Sequence, residues 1–242
     1  MCGRYTLTQD QEALQVALGV EGLVHPRPRF NIAPSQEAPV IRWEDGGSQG
    51  TRLRWGLIPS WARDPAIGNR LINARSETAH EKPSFRAAFR KGRCLVPADG
   101  FFEWKKGPGG KRPYWVHLAT QEPFTLAGLS EAWRSPEGEY LETFTILTTE
   151  AAPSIREIHH RMPVILPPHR REEWLDPATK VECLQAILDS QAFEDGEAAP
   201  LLAAREVSSR VNSPANDDPA CLEPAPPPGG DLPLFAQGPG PG

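Results

Sequence analysis

The chain has 242 residues, 39% hydrophobic and 24% charged, with a formal net charge of −5, which fits a globular protein of one large or two small domains. A transmembrane helix is excluded because no run of 18 apolar residues occurs, and the first residues lack the basic and apolar regions of a secretory signal. The four cysteines form no CxxC pair, so we expect neither a zinc ribbon nor a disulfide scaffold, and a cytoplasmic location instead.

The charge is distributed unevenly along the chain. Residues 194–242 carry eight acidic and two basic side chains, whereas residues 52–112 carry fourteen basic and five acidic ones. The basic stretch also contains Trp55, Trp61 and Trp104. Basic and aromatic residues in this mixture are typical of a surface that follows a phosphate backbone and stacks on bases. A solvated basic face with no partner would have the same composition.

Strand-like segments, rich in β-branched and aromatic residues, dominate the chain. They are predicted at 2–8, 38–43, 52–58, 93–104, 114–119, 124–133, 140–149, 162–166 and 204–209. Helices are predicted at 9–18, with Thr8 as the N-cap, and at 84–90, 153–159, 168–175 and 179–190. Glycine and proline clusters between the strands predict hairpin turns at 45–50, 107–113 and 135–138.

These elements predict an α+β fold: a single compact domain with a mostly antiparallel β-sheet or partly closed barrel and flanking short helices. Twelve of the nineteen residues in 224–242 are proline or glycine. Such a segment cannot bury enough apolar surface to offset the entropy of ordering it. We therefore predict a folded domain over 1–223 and a disordered tail over 224–242.

Cys2 directly follows the initiator methionine, and its small side chain predicts that Met1 is removed. The product would carry an α-amine and a thiol on adjacent carbons. Such a pair captures aldehydes, because the amine forms an imine and the thiol then closes on it as a five-membered thiazolidine. The alternative is that Cys2 is simply a small apolar residue at the start of a strand.

The polar run at 70–78 has neither helical nor strand periodicity and predicts a loop with side chains free for directed hydrogen bonds. The Asn73 amide can orient a nucleophile or a carbonyl. The planar guanidinium of Arg75 suits phosphate. An ordinary turn would contain the same types of residue.

Glu103 lies between Phe102 and Trp104 in a strand-like run. Burial would raise the pKa of this carboxyl and suit it to general acid–base work, but strand alternation equally allows it to face water. Two histidines, His159 and His160, end the loop before the strand at 162–166. If this segment is extended, at most one of the two enters a given site.

Several kinds of chemistry are not expected. The sequence has neither an HExxH motif nor a Cys/His set at ligand spacing, so we expect no metal and no cofactor. A GxSxG elbow is also missing, which argues against a serine hydrolase.

Six segments together resemble the SOS-response-associated peptidase (SRAP) family, whose members are also called abasic-site processing proteins. In chain order they are MCGRYTL (1–7), FNIAPSQ (30–36), RWGLIPSWA (54–62), NARSET (73–78), RCLVPADGFFEW (93–104) and IHHRMPVIL (158–166). The resemblance extends from Cys2 to about Pro224.

This resemblance implies a mostly antiparallel β fold that binds single-stranded DNA and forms a covalent crosslink to an abasic site, shielding the lesion from strand breakage. By the same resemblance, Cys2 is the crosslinking nucleophile and Asn73 orients its amine and thiol. Glu103 is the general acid–base that helps to open the sugar ring, and His160 assists the imine chemistry.

The resemblance also implies phosphate contacts at Arg75 and Arg161, and further DNA contacts at Arg4, Asn31 and Trp61. Single-stranded DNA with abasic sites is the expected partner, at the nucleoid when bound. We expect a monomer and no membrane partner.

Two other functions stay open. In the first, which the family name suggests, Cys2 is activated by Glu103 and His160 and hydrolyses peptide bonds, or only its own Met1–Cys2 bond. In the second, the protein binds single strands and does no chemistry. The tail adds a separate hypothesis, because DLPLF at 231–235 loosely resembles the short motifs that dock repair proteins onto the bacterial sliding clamp.

Overall fold

The protein is described by a computed structural model over residues 2–189 and 202–226. Within them, thirteen strands are β1 Tyr5–Leu7, β2 Arg29–Ile32, β3 Glu37–Glu44, β4 Gly47–Trp55, β5 Asn73–Arg75, β6 Arg93–Ala98, β7 Gly100–Gly107, β8 Gly110–Leu118, β9 Phe124–Arg134, β10 Tyr140–Glu150, β11 Arg161–Pro163, β12 Ile165–Leu166 and β13 Leu202–Glu206. The α-helices in the same residues are α1 Gln11–Leu18, α2 Arg86–Lys91, α3 Arg171–Leu175 and α4 Val181–Asp189. Short 3₁₀ turns lie at Pro65–Arg70, Pro153–Ile155, Pro168–Arg170, Ser209–Asn212 and Pro219–Leu222.

Five of these strands close into a barrel. β4 pairs with β3, β3 with β6, β6 with β9, β9 with β10, and β10 returns to β4. The closing β10–β4 pair is parallel and the other four pairs are antiparallel. Closure leaves no exposed edge along the paired segments. The predicted barrel is thus confirmed, and it is fully closed.

The second sheet is open and antiparallel, in the order β13-β8-β7-β1-β2. Its central strand, β7, continues from the barrel strand β6, so the run predicted at 93–104 divides between two sheets. Asp99 lies at the division and accepts hydrogen bonds from the hydroxyls of Thr6 (2.5 Å) and Thr8 (2.7 Å) and from the Thr8 backbone. These bonds hold β1 against the junction of the two sheets.

Aromatic side chains fill the space between the barrel and the open sheet. Trp55 is fully buried, with its ring centroid 6.2 Å from Phe144 in a stacked arrangement and 5.3 Å from Tyr5 in an edge-on one. Its indole N–H donates to the Ile72 carbonyl at 2.8 Å. Such large buried rings contribute much of the energy of a core.

Most predicted elements are confirmed within a few residues, and two local predictions are wrong. The N-cap of α1 is Asp10, which accepts from Ala13 N at 2.8 Å, because the Thr8 hydroxyl is already bound to Asp99. The segment predicted as a helix at 153–159 forms only a 3₁₀ turn at Pro153–Ile155. Two short strands, β2 and β5, were not predicted, since three or four residues show little periodicity.

The predicted turns lie where the strands reverse. Asp45 and Gly46 join β3 to β4 with φ values of 49° and 86°, a conformation typical of Asp-Gly hairpins. The clusters at 107–113 and 135–138 likewise lie at the β7–β8 and β9–β10 connections.

The C-terminal part of the described chain is attached to the open sheet. Pro224 forms a bridge with Val207, and Ala225 N donates to the Glu206 carbonyl at 3.4 Å, so the attached segment continues to Ala225, slightly past the predicted boundary. The segment at 231–235 lies outside the described residues. No helix among the described residues is long and apolar enough to cross a membrane.

Candidate functional site

The first described residues lie along β7. Phe102 N donates to the Arg4 carbonyl at 3.0 Å, and Tyr5 is opposite Phe101 in the β1–β7 register. Continuing this register places Gly3 opposite Glu103. β1 is only three residues long, so the edge of β7 beyond it is covered by the start of the chain, and Cys2 comes close to the Glu103 carboxyl.

Asn73 connects this N-terminal segment to the barrel. It begins β5, which pairs in parallel with β10, with Asn73 opposite Ile146. Its amide nitrogen donates to the Cys2 carbonyl at 2.7 Å. The amide oxygen is buried and accepts no hydrogen bond from any described residue. Asn73 therefore offers an open acceptor next to the Cys2 backbone, as an orienting residue would require.

Glu103 is 3% exposed, so the alternative in which it faces water is wrong. The N-terminal segment covers the side of β7 that alternation alone would have left to solvent. Burial raises the pKa of this carboxyl to about 7. Near neutral pH it can therefore either donate or accept a proton.

The Cys2 side chain is buried, with its sulfur 3.6 Å from the Arg4 carbonyl. Burial raises the pKa of the thiol, and the nearby Glu103 carboxylate raises it further. The thiol consequently stays neutral at physiological pH and needs a base to become a nucleophile.

Of the two adjacent histidines, His159 is the one beside Glu103. Glu103 and His159 both line a cleft of about 340 Å³, together with Trp104, Lys106, Lys111 and Asn212. His160 is exposed and stacks on the His159 ring, with centroids 4.5 Å apart. The family resemblance implied His160 as the assisting histidine; of the two, it is His159 that lines the cleft with Glu103, whereas His160 is exposed.

His159 is anchored through Nδ1, which lies 3.0 Å from both the backbone nitrogen and the carbonyl oxygen of Arg161. Burial lowers the pKa of this imidazole, and neighbouring positive charge acts in the same direction. The ring is therefore mainly neutral at pH 7.

Arg161, predicted as a phosphate contact, is occupied within the protein. Its two terminal nitrogens donate to both Glu77 carboxylate oxygens, at 2.5 and 3.0 Å, and one also donates to the Thr148 carbonyl. The side chain is 9% exposed. This bidentate pair joins the loop after β5 to β10 and β11, so both terminal nitrogens of Arg161 are bound within the protein in this structure.

Asn31, predicted as a DNA contact, is fully buried. Its amide nitrogen donates to three carbonyls of the C-terminal segment, those of Val211 (3.2 Å), Ser213 (3.0 Å) and Asn216 (2.7 Å). Asn31 thus holds this segment against β2, and its side-chain nitrogen has no capacity left for a strand of DNA.

The other three predicted contacts have accessible groups. Arg75 is exposed and makes no side-chain hydrogen bond or ion pair with the described residues. Trp61 is 57% exposed, with its indole N–H 3.3 Å from the Pro83 carbonyl. Arg4 is half-buried and donates to the Gly3 carbonyl at 3.0 Å. Charge and aromatic surface are therefore available at these positions.

Part of the basic stretch at 52–112 serves the fold. Arg93 is buried and donates to four backbone carbonyls. Arg52, Lys105 and Arg112 form ion pairs with Glu37, Glu157 and Glu206, at 3.7, 3.3 and 3.0 Å. The remaining basic side chains of the stretch, most of them exposed, are the ones available to a phosphate backbone.

Sequence patterns did not identify His159 as the residue that lines the cleft, nor the ion pair of Glu77 with Arg161. They also did not identify the hydrogen bond that the Trp104 indole N–H donates to the Asn212 side-chain oxygen at 2.8 Å. Within residues 2–189 and 202–226, no group of three or more His, Cys, Asp or Glu side chains is arranged to hold a metal ion.

The structure thus brings Cys2, Asn73 and the buried Glu103 carboxyl together at the start of the described chain, and it leaves cationic and aromatic side chains exposed at Arg75 and Trp61. The family model for SOS response associated peptidase (SRAP) matches residues 1–214. Abasic site processing protein YoqW of Bacillus subtilis (strain 168) is 42% identical over 230 residues, covering 92% of this chain and 99% of that protein. The chain belongs to the SRAP family.

More distant relatives agree with this assignment. Abasic site processing protein HMCES of Gallus gallus is 36% identical over 230 residues, which cover 82% of this chain and 66% of that protein. A crystal structure of a protein from Bacteroides thetaiotaomicron superposes with a TM-score of 0.76 at 27% identity, covering 93% of this chain and 100% of that one.

Proposed function

We propose that this protein processes abasic sites in single-stranded DNA, and that the mature chain begins at Cys2 and crosslinks to the aldehyde of the lesion. The observation that carries the proposal is the convergence of Cys2, Asn73 and Glu103 where the open sheet meets the barrel strand β10. The relatives named as abasic site processing proteins support the same activity.

The first step is ring opening. An abasic deoxyribose is mostly a closed hemiacetal. Protonated Glu103 donates to the ring oxygen while the C1 hydroxyl gives its proton to solvent water, which breaks the bond between C1 and the ring oxygen and frees the aldehyde. A pKa of about 7 leaves a substantial protonated fraction of Glu103 at neutral pH.

The second step is capture. The neutral Cys2 amine attacks C1, and the adduct takes up one proton from solvent and loses one water to give an iminium. The Cys2 thiol then attacks C1 and gives its proton to the Glu103 carboxylate, which closes the thiazolidine. The Asn73 amide nitrogen holds the Cys2 carbonyl, and we assign its buried oxygen, which has no partner among the described residues, as the acceptor for the amine. We assign the assisting histidine as His159, because it lines the cleft with Glu103.

DNA binding would come from backbone contacts without base recognition, since the lesion has no base. Arg75 provides an exposed guanidinium, and Arg4 lies directly after the reactive end of the chain. Trp61 presents an exposed ring on which a flanking base can stack.

A cysteine peptidase requires the opposite arrangement. Its thiol is activated by a lowered pKa, whereas burial and Glu103 raise the pKa of the Cys2 thiol. A thiol held neutral until an iminium has formed suits addition to that iminium better than attack on a peptide bond.

The test is the intact mass of the protein alone and after incubation with an abasic oligonucleotide. We expect the mature protein to lack Met1, and the adduct to equal the sum of protein and DNA less one water. Cys2→Ala should abolish the adduct on a denaturing gel while noncovalent binding to an uncleavable tetrahydrofuran analogue persists. Cys183→Ala, at an exposed cysteine on α4, is the matched control and should crosslink normally.

Cys2→Ser separates the two bond-forming steps. It keeps the amine and loses the thiol, so it should give an adduct only when borohydride reduces the imine. A full, unreduced crosslink in Cys2→Ala, or a working protein that retains Met1, would overturn the proposal. Turnover of added peptides by the wild type would favour the peptidase.

A further inference from the structure

The β7–β8 hairpin ends in four basic residues arranged as two cross-strand pairs. Lys105 is directly opposite Arg112, and Lys106 is directly opposite Lys111. Like charges placed directly opposite each other destabilise an antiparallel pair of strands. The hairpin tip therefore places like charges opposite each other at two neighbouring positions.

The two pairs differ in how their charge is balanced. Lys105 binds Glu157 at 3.3 Å and Arg112 binds Glu206 at 3.0 Å. Lys106 and Lys111 are both exposed, and neither makes a side-chain hydrogen bond or an ion pair with any described residue. Only the second pair thus presents its full positive charge outward.

The unbalanced pair lies next to the proposed reaction site. Lys106 and Lys111 line the same cleft of about 340 Å³ as Glu103 and His159. Along β7, Lys106 lies three positions after Glu103, which is about 10 Å at the usual rise of a strand. The far wall of the cleft is fixed, because the Trp104 indole donates to Asn212 at 2.8 Å.

We propose that Lys106 and Lys111 form a phosphate subsite that binds the phosphodiester next to the abasic sugar. Two ammonium groups directly opposite each other can share one phosphate, which relieves their repulsion and adds charge-assisted hydrogen bonds. The subsite would hold the strand so that the sugar faces Glu103. This inference rests on the proposed function, but it concerns noncovalent binding and is tested apart from the crosslink.

The experiment measures affinity for an oligonucleotide with a tetrahydrofuran abasic analogue, which has no aldehyde and cannot crosslink, over a series of salt concentrations. Each phosphate contact on a single strand contributes about 0.7 to the slope of log K against log salt. We expect the Lys106→Ser/Lys111→Ser double variant to lower that slope by roughly 0.7 to 1.4 and to weaken binding on the order of ten-fold at low salt.

The matched control is the Lys105→Ser/Arg112→Ser double variant. Both double variants lose two positive charges at adjacent positions of one hairpin, so their long-range electrostatic effects are alike. A direct contact predicts a clearly smaller change of slope in the control. An unchanged slope in the Lys106/Lys111 variant, or equal changes in the two, would overturn the subsite.

A backbone scan locates the phosphate. Replacing single phosphates by neutral methylphosphonates should weaken wild-type binding most at one of the two positions flanking the analogue. The same replacement should cost the Lys106→Ser/Lys111→Ser variant little. An equal loss in both proteins would contradict the assignment. Crosslink yield with true abasic DNA at saturating concentration is read separately: if it persists while the slope changes as expected, the subsite and the crosslink are both supported.

Discussion

The barrel and the open sheet bury different kinds of side chain. The barrel has no edge along its paired segments, and its packing is dominated by apolar groups such as Trp55, Leu95 and Phe144. The open sheet buries two carboxyl groups within five residues, Asp99 and Glu103. Closure makes the barrel a stable support, whereas the short strand β1 leaves part of β7 to the reactive start of the chain.

Because the two regions bury different side chains, burial contributes differently to their stability. An apolar side chain gains free energy when it is buried, but a buried carboxyl costs free energy unless it is paired or hydrogen-bonded. Asp99 is supported by two hydroxyls and a backbone N–H. The Glu103 carboxyl, in contrast, has a raised pKa, which means that its ionised form costs stability when buried. The same residue is the one that can act as an acid–base group. We therefore expect substitutions in the barrel to affect folding and substitutions on the open sheet to affect function.

The largest expected effect is in the barrel. Trp55→Ala removes a fully buried indole that packs on Phe144 and Tyr5 and donates to Ile72. We expect a loss of about 3–5 kcal/mol in the free energy of unfolding, measured by urea denaturation. Trp61→Ala is the control, because this ring is 57% exposed, and its stability should change by less than about 0.5 kcal/mol.

If Trp61→Ala destabilised the protein as much as Trp55→Ala, the exposed ring would belong to the core, and its proposed role in stacking on DNA would lose support.

Sequence patterns captured the barrel better than the site. Strand periodicity and Asp-Gly turns are local signals, so β3, β9 and β10 were predicted to within one residue at each end. β4 begins five residues before the predicted strand at 52–58, and β6 ends at Ala98, within the run predicted at 93–104. The site depends on contacts between distant segments. Asn73 meets Cys2 across 71 positions and Arg161 meets Glu77 across 84. No local pattern predicts such a meeting, and only the family resemblance placed Asn73 beside Cys2.

The same limit applies to the individual site residues. Arg161 and Asn31 have side chains suited to phosphate and DNA, but chemistry alone does not reveal that Glu77 and three carbonyls already occupy them. The choice between His159 and His160 depends on which of the two lines the cleft with Glu103, and two identical adjacent residues give no local signal for that.

The second expected effect is that of Glu103→Gln, which should raise the stability of the protein and lower its crosslinking rate. The Glu103 carboxyl has a pKa of about 7 in the folded protein, against an ordinary value of 4.5. Between these two pH values the folded state holds a proton that the unfolded state has released, so stability falls as pH rises from about 4.5 to 7. Glu103→Gln removes this loss and should be more stable than the wild type at pH 8, by on the order of 1–3 kcal/mol.

The same variant should crosslink slowly, because an amide cannot donate or accept the protons of ring opening and closure, while its affinity for the tetrahydrofuran analogue stays near that of the wild type. Thermal unfolding at pH 4 and pH 8 tests the expected gain in stability, and crosslinking rates at several pH values test the acid–base role. Glu157→Gln is an exposed control that should change neither by much. Unchanged kinetics in Glu103→Gln would remove the acid–base role.

The smallest expected effect is at the β7–β8 hairpin tip, where the repulsion between Lys106 and Lys111 lowers the stability of the open sheet. Lys111→Glu places an acid directly opposite Lys106 and turns a repulsion into an attraction. We expect it to stabilise the protein by about 0.2–1 kcal/mol, seen as a higher Tm, while it weakens binding to single-stranded DNA. Arg112→Glu makes the same change opposite Lys105, but it also breaks the ion pair with Glu206 and places two carboxylates side by side, so it should not raise the Tm. A Lys111→Glu protein that gained stability and bound DNA as well as the wild type would mean that the lysine pair is only a solvated surface, and that the open sheet keeps its unfavourable charge for no ligand at this position.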